Sequence, residues 1–141
     1  MAEYTAIAEQ TVAANQNILL TETPVCGNAP CIVHREGSGL VTLRGITNQC
    51  RARFKVTFGG NIALPTGGTV GPISLAIAVN GEPVATTTTI ETPAAVAEFS
   101  NVFSAIFLDI PAGCCSQISV RNTSNQAIDV QNANLIVERV A

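Results

Sequence analysis

The chain has 141 residues, of which 12% are charged and 47% are hydrophobic, and its formal net charge is −3. Charged residues are about half as frequent as the ~25% usual in soluble domains. The sequence contains no run of roughly 18 apolar residues, so we expect no helical membrane insertion. The chain is acidic and lacks the basic excess that is usual in nucleic-acid binders. So uncharged a composition predicts a surface partly covered by copies of the chain or by a larger assembly.

The length suits one domain with a real core, so we predict a single domain over residues 1–141. We expect residues 1–16 to form a peripheral N-terminal arm or strand. The N-terminus contains Glu3 and Glu9 and has neither the basic nor the apolar region of a secretory signal. We therefore expect synthesis in the cytoplasm without a signal peptide.

Residues 51–58 show the clearest alternation in the chain, with one apolar face and one polar face. The polar face carries a basic surface stripe of Arg51, Arg53 and Lys55. This stripe indicates either a contact with an acidic neighbouring surface or the solvated face of a strand near a sheet edge. We expect Gly59 and Gly60 to end the strand.

Residues 73–90 predict a β-hairpin centred on Asn80 and Gly81, because both residues tolerate the positive φ of a two-residue turn. In the first arm, large apolar residues alternate with small ones. Ala76 and Ala78 form the small face, which we expect to be a packing surface. The second arm, residues 84–89, is predicted to be a strand.

Residues 102–110 are apolar on both faces. In a strand, Phe103 and Phe107 share one face, and Val102 and Ile110 share the other. The flanking β segments favour a strand, although the four-residue spacing of the phenylalanines also fits a short helix. A second apolar face of this kind needs a partner.

In the last segment the apolar phase changes between Val130 and Leu135, which predicts a bulge or bend near residues 132–134. Together the segments amount to about eight to ten short strands separated by turn residues. This pattern is typical of an all-β jelly-roll sandwich of antiparallel strands.

The order of segments also resembles a known family. An alternating strand (CRARFKVTFGG) is followed by a hairpin (SLAIAVNGEPV), a doubly apolar strand (VFSAIFLDIPAG) and the closing SQISVRNTSNQAIDVQNANLIVERV. Residues 37–141 resemble the trimeric jelly rolls of the tumour-necrosis-factor and complement-globular-head type, as in the heads of bacterial collagen-like fibres. The chain is more similar still to small virion or surface proteins of phages and prophages of gut Firmicutes.

The resemblance implies a homotrimer in which Phe103 and Phe107 pack about the threefold axis. It implies a non-enzymatic structural subunit, a decoration, fibre-head or surface protein of a phage particle, located at the virion or particle surface. Its partners would be other virion or surface proteins. The alternatives are a host-glycan or protein-binding surface module, carried by loops at residues 24–30 and 65–71, and a subunit of a bacterial or spore surface fibre.

Five cysteines leave at least one thiol unpaired within one chain. Cys26, Cys31 and His34 are weak candidates for a metal site, because zinc takes Cys and His ligands, but half of a usual four-ligand set is missing. Cys26 and Cys31 are also candidates for a loop disulfide. Partly buried free thiols are the third alternative, and we expect no bound metal or cofactor.

Cys114 and Cys115 follow a turn, where adjacent cysteines either bond different partners or stay unbonded. They are candidates for an intersubunit cross-link. His34 is the only histidine, and Cys31 lies on the opposite face of the same predicted strand, which argues against a Cys–His dyad. With scattered carboxylates and no phosphate-binding or dinucleotide motif, we expect that the protein is not an enzyme.

Overall fold

The computed structural model describes residues 2–25, 31–46 and 50–140, which form two six-stranded antiparallel β-sheets with a shared apolar core. The predicted all-β jelly-roll sandwich is confirmed. The strands in chain order are β1 (Ala2–Ala6), β2 (Gln10–Val12), β3 (Glu22–Val25), β4 (Ile32–His34), β5 (Val41–Arg44), β6 (Arg51–Ala63), β7 (Ile73–Val79), β8 (Glu82–Pro83), β9 (Thr89–Glu91), β10 (Ser100–Pro111), β11 (Cys115–Asn122) and β12 (Ile128–Arg139).

The first sheet has the order β10–β6–β12–β1–β3, and β2 also pairs with β12. The second sheet has the order β4–β5–β11–β7–β8, and β9 also pairs with β7. Four of these twelve strands have three residues or fewer, which leaves eight longer strands. Within the described residues, no helix is long and apolar enough to cross a membrane.

The N-terminal segment is part of the first sheet. β1 lies between β12 and β3, and its side chains Ala2, Tyr4 and Ala6 are buried in the core. The expectation of a peripheral arm at residues 1–16 is therefore wrong for this strand. The burial of this strand was not predicted because its alternation is weak. Alanine on the inner face contributes little to an apolar pattern.

β6 extends the strand predicted at residues 51–58 and lies between β10 and β12. The expectation that Gly59 and Gly60 end it is wrong, since β6 continues to Ala63. A Cβ on Gly60 would lie 3.4 Å from the Phe58 ring. Close packing inside the sheet, and not a turn, therefore accounts for glycine at this position.

The hairpin turn is confirmed, with positive φ at both Asn80 (52°) and Gly81 (86°), as a type I′ turn requires. Ala76 and Ala78 are only 2% and 0% exposed. The small face of the first arm is therefore a packing surface, as predicted, and it is covered within one chain.

The second arm of the hairpin is not one strand. The backbone leaves the sheet after β8 in a 3-10 turn at Ala85–Thr87, and pairing resumes only at β9. The Thr87 hydroxyl accepts a hydrogen bond from the Ile77 N–H (2.9 Å) and donates one to the Val84 carbonyl (2.7 Å). This side chain replaces the strand as the partner of β7 at that point.

The phase change in β12 is confirmed as an irregularity in its pairing with β6. The register shifts between Gln131 and Asn134, and Asn132 has a φ of 55°. The extra residue returns the alternation of Leu135 and Val137 to the core face.

We expect Gly81→Ala to lower the free energy of unfolding by about 1–2 kcal/mol, because an L side chain is strained at this positive φ. The space around Gly81 is open, so no steric clash contributes. Urea unfolding measures the loss. Gly71→Ala is the matched control, since Gly71 is outside the left-handed region and a Cβ there would meet only the Thr69 carbonyl oxygen, at an ordinary 3.9 Å. Equal losses in the two variants would show that φ is not the cause.

Candidate functional site: an aromatic sheet face

β10 lies at one edge of the first sheet and carries apolar side chains on both faces. Val102 and Ile110 are buried in the core, whereas Phe103 and Phe107 on the outer face are 65% and 61% exposed. The strand prediction for residues 102–110 is confirmed. We call Phe103 and Phe107 the aromatic ridge.

The aromatic ridge belongs to a wider strip of small and apolar side chains on the outer face. Phe103 is paired with Gly59, and its Cδ2 atom lies 4.0 Å from where a Cβ on Gly59 would be. Ala105 is exposed and paired with Thr57, and the half-buried Ile136 of β12 is paired with Thr57 from the other side. The strip thus extends over three neighbouring strands.

An exposed aromatic ridge on a long edge strand is unusual. Phenylalanine is among the residues most often buried. Strands at the edges of sheets are commonly short or protected by charge, because they otherwise promote association. The aromatic ridge is therefore the strongest candidate for a contact surface in the described residues.

The predicted basic stripe lies on the same outer face, and β10 adds an acidic partner to it. Arg53 donates two hydrogen bonds to Asp109, from Nε to Oδ1 (2.8 Å) and from Nη2 to Oδ2 (3.1 Å). The Nε atom of Arg51 lies 3.3 Å from Oδ2 of the same carboxylate. Lys55 is paired with Glu138 of β12. The stripe is an ion cluster at one end of the aromatic ridge, not a row of isolated cations.

The ion cluster holds its members in their charged forms. The pKa of Asp109 is lowered, first by the hydrogen bonds from Arg53 and then by the charges of Arg53 and Arg51, while desolvation opposes the shift. The pKa of Arg53 is raised, chiefly by its hydrogen bond to Asp109. Two guanidinium groups share one carboxylate, so this corner of the face keeps a net positive charge.

A cavity of about 220 Å³ opens beside the ion cluster and is lined by Arg53, Phe107 and Asp109. The side chains of the aromatic ridge and the ion cluster therefore border the same depression. Such a surface offers apolar area for burial and charged groups for orientation.

His34 is used inside the fold. Its Nδ1 atom lies 2.9 Å from the Leu40 carbonyl oxygen and its Nε2 atom 3.1 Å from that of Leu20. Its ring centroid is 4.4 Å from that of Tyr4. Both ring nitrogens thus lie at backbone carbonyl oxygens, and a metal site at Cys26, Cys31 and His34 stays a prediction.

Cys26, one half of the predicted Cys26–Cys31 disulfide, lies outside the described residues. Cys31 is a free thiol that packs against the core. In the described ranges, no group of three or more His, Cys, Asp or Glu side chains is placed to hold a metal ion.

Cys114 and Cys115 are exposed free thiols, as is Cys50. The Cys50 carbonyl accepts a hydrogen bond from Ala112 N–H (3.0 Å), which brings this third thiol to the turn that precedes the pair. The cysteines of this end lie beyond the ion cluster. The intersubunit cross-link through Cys114 or Cys115 stays a prediction.

Asp109 was not predicted as the partner of the arginines. The available signal was a break in pattern: the outer face of β10 is apolar at Phe103, Ala105 and Phe107 and then acidic at Asp109. Strand pairing puts this acid opposite Arg53. Without the register between β10 and β6, the sequence does not show which residue Asp109 contacts.

No protein-family model and no curated protein sequence matches the chain. Among solved structures, the chain resembles the globular domain of zebrafish complement 1qA protein, with a TM-score of 0.59 and 8% identity over 96% of this chain and 94% of that one. The two chains share the jelly-roll fold. It also resembles the PRD1 vertex protein, with a TM-score of 0.53 and 9% identity over 99% of this chain and 96% of that one. At identities this low, the similarity shows only that the jelly-roll fold is shared. The function has to be argued from the residues on the surface.

We expect Asp109→Asn to lower the midpoint of thermal unfolding at pH 7, because the amide loses the ion pairs to both arginines. The pKa of Asp109 is lower in the folded protein than its ordinary 3.8, so the pairs add stability above that value. This contribution is lost as the pH falls through the lowered pKa. The difference between wild type and variant therefore shrinks towards zero in acid, as unfolding scans across pH measure.

Glu98→Gln is the matched control, because it neutralises an exposed carboxylate in a loop. It should leave the midpoint at pH 7 close to that of the wild type. An Asp109→Asn variant that unfolds like the wild type at pH 7 would show that the ion cluster adds nothing to stability.

Proposed function

We propose that the chain is a non-enzymatic structural subunit that forms a homotrimer through its aromatic ridge and decorates the surface of a phage particle. The observation that carries this proposal is the exposure of Phe103 and Phe107, 65% and 61%, on an edge strand of the jelly roll. A chain with few charges and two such rings on one face gains most by covering that face.

The size of the gain supports an extended contact. A Phe side chain buries roughly 200 Å², so covering the exposed parts of both rings removes about 250 Å² from water, which is worth about 6 kcal/mol at ~25 cal/mol per Å². Association costs about 4–15 kcal/mol in lost freedom. The contact must therefore include residues beside the ridge. Ala105 and Ile136 are apolar residues that lie next to it on the same face.

The trimeric state and the particle role rest on the resemblance described above and on the shared fold. Complement-head and tumour-necrosis-factor jelly rolls are trimeric by that resemblance. The likeness to a phage vertex protein is compatible with a place on a particle. Proteomic detection of the chain in purified particles tests this role, and its absence from them would remove the phage part of the proposal.

A non-enzymatic role agrees with the chemistry of the described residues. His34 has both ring nitrogens at backbone carbonyls. The acid of the outer face, Asp109, is held in its charged form by arginines. Both side chains are thus engaged within the fold, which supports a structural role.

A binding module is the second candidate, because one observation favours it. A cavity of about 420 Å³ adjoins the predicted binding loop, and it is lined by Thr69, Val70, Gly71, Pro72, Asn125 and Gln126. The Gln126 side chain donates to the Thr69 carbonyl (2.9 Å) and accepts from the Thr69 N–H (3.2 Å), so the two loops are fixed to each other. The other predicted binding loop, residues 24–30, lies largely outside the described residues.

Glycan-array binding that is lost in Asn125→Ala, with the oligomeric mass unchanged, would favour the binding module. Asn101→Ala is the matched control, since Asn101 is an exposed asparagine on the outer face of β10 and does not line the cavity. If the wild type binds no glycan on the array, the cavity loses this role.

The homotrimer is tested by replacing the aromatic ridge with Phe103→Ser and Phe107→Ser in one variant. Both side chains are already exposed in the single chain, so their loss should leave the fold intact and remove the contact. We expect sedimentation velocity to show a trimer for the wild type and a monomer for the variant, with the same circular dichroism.

The control variant carries Val33→Ser and Val70→Ser, which remove two exposed apolar side chains, one on the edge strand β4 of the second sheet and one in the loop before β7. It should remain trimeric. A ridge variant that keeps the mass of the wild type, or a wild type that is monomeric at micromolar concentration, would contradict the proposed assembly.

A further inference from the structure

We propose that the aromatic ridge of one copy docks against the opposite edge of the first sheet in the next copy, at Ile7 and Val25, so that the subunits contact head to tail. This inference rests on the proposed homotrimer and names the surface that receives the ridge. We call Ile7 and Val25 the aliphatic edge.

The aliphatic edge is a second exposed apolar surface on the same outer face. Ile7 is 63% exposed and Val25 is 38% exposed. Val25 is paired with Glu3 of β1, whose neighbours Ala2 and Tyr4 point into the core, so Val25 shares the outer face with Glu3. Ile7 follows the buried Ala6, and alternation places it on that face as well.

The aromatic ridge and the aliphatic edge lie at overlapping levels along the strands, because Phe107 lies four residues beyond Phe103, on the Glu3 side of Thr5. Pairing through β6 and β12 places Phe103 level with Thr5 of β1. Val25 lies level with Glu3, two residues from Thr5 in one direction, and Ile7 lies two residues from Thr5 in the other. Rotation about an axis parallel to the strands preserves these levels, so the ridge of one copy and the aliphatic edge of the next overlap between the levels of Glu3 and Thr5.

Within one chain, the aromatic ridge and the aliphatic edge are too far apart to contact each other. β10 and β3 are the two ends of a five-strand path, four strand spacings apart, or about 19 Å. Each copy therefore carries one free ridge and one free edge. Two different complementary patches on one molecule make a heterologous contact, and a heterologous contact satisfies every copy only in a closed ring.

Charge complements the apolar match. Beside the aromatic ridge, three cations (Arg51, Arg53 and Lys55) lie beside two carboxylates (Asp109 and Glu138), which leaves a net positive charge. Beside the aliphatic edge, Glu3 accepts a hydrogen bond from the Asn134 amide (2.9 Å) and Glu22 accepts one from the Thr5 hydroxyl (3.1 Å). These donors are neutral, so the edge keeps negative charge. A positive patch facing a negative patch orients the two copies.

A mixing experiment tests the head-to-tail contact. The ridge variant (Phe103→Ser, Phe107→Ser) keeps its aliphatic edge, and an edge variant (Ile7→Ser, Val25→Ser) keeps its ridge. Each variant alone should be monomeric. Mixed in equal amounts, they should form a 1:1 pair through the one intact contact, and this pair cannot grow. Native mass spectrometry, with one variant isotopically labelled, identifies the pair, and Ile7→Thr with Val25→Thr serves as a second edge variant with β-branched residues.

The outcomes separate this inference from the proposed function. An edge variant that stays trimeric, or a mixture that stays monomeric although the wild type is a trimer, overturns the head-to-tail contact and leaves the homotrimer standing. The second result would mean that the ridges contact one another at the axis. A wild type that is monomeric, or a ridge variant that stays trimeric, overturns the proposed assembly and this inference with it.

Discussion

The register between β10 and β6 decides what the outer face of the first sheet presents. Pairing between the two strands runs without a shift from Ser100 to Pro111. Since side chains alternate with period two, a slip of one residue would turn the aromatic ridge into the core and the core side of β10 to solvent. The same register sets Asp109 beside Arg53. The aromatic ridge and the ion cluster are two results of one alignment.

Local chemistry made much of the fold predictable. The alternation of residues 51–58 predicts a strand with one buried face, and β6 contains that strand. Asn80 and Gly81 predict the turn because few other residue pairs accept two positive φ values. The phase change before Leu135 predicts the irregularity in β12, since only an extra residue restores the alternation. Exposure of Phe103 and Phe107 was implied by a strand that is apolar on both sides.

Features that depend on distant partners were not predictable from the chain alone. β1 is in the interior of a sheet because β12 and β3, far away in sequence, pair with it. Thr87 breaks the second hairpin arm through a hydroxyl bonded to the edge of β7, which competes with strand pairing where β-propensity alone favours a strand. Asp109 and the arginines belong to different strands, and their contact follows from register. The aliphatic edge likewise becomes visible only when the order of strands in the sheet is known.

The low content of charged residues and the exposed aromatic ridge have the same consequence: one face of the first sheet exposes a large apolar area. Among residues 2–25, 31–46 and 50–140, nothing covers that face, because the aromatic ridge and the aliphatic edge lie at opposite ends of the sheet. The central claim is that copies of the chain cover it for one another in a closed ring of three. The native mass of the wild-type protein at micromolar concentration tests this claim most directly. The expected result is three times the chain mass of 14.6 kDa, and a mass of one chain, or of an even number of chains, would contradict it.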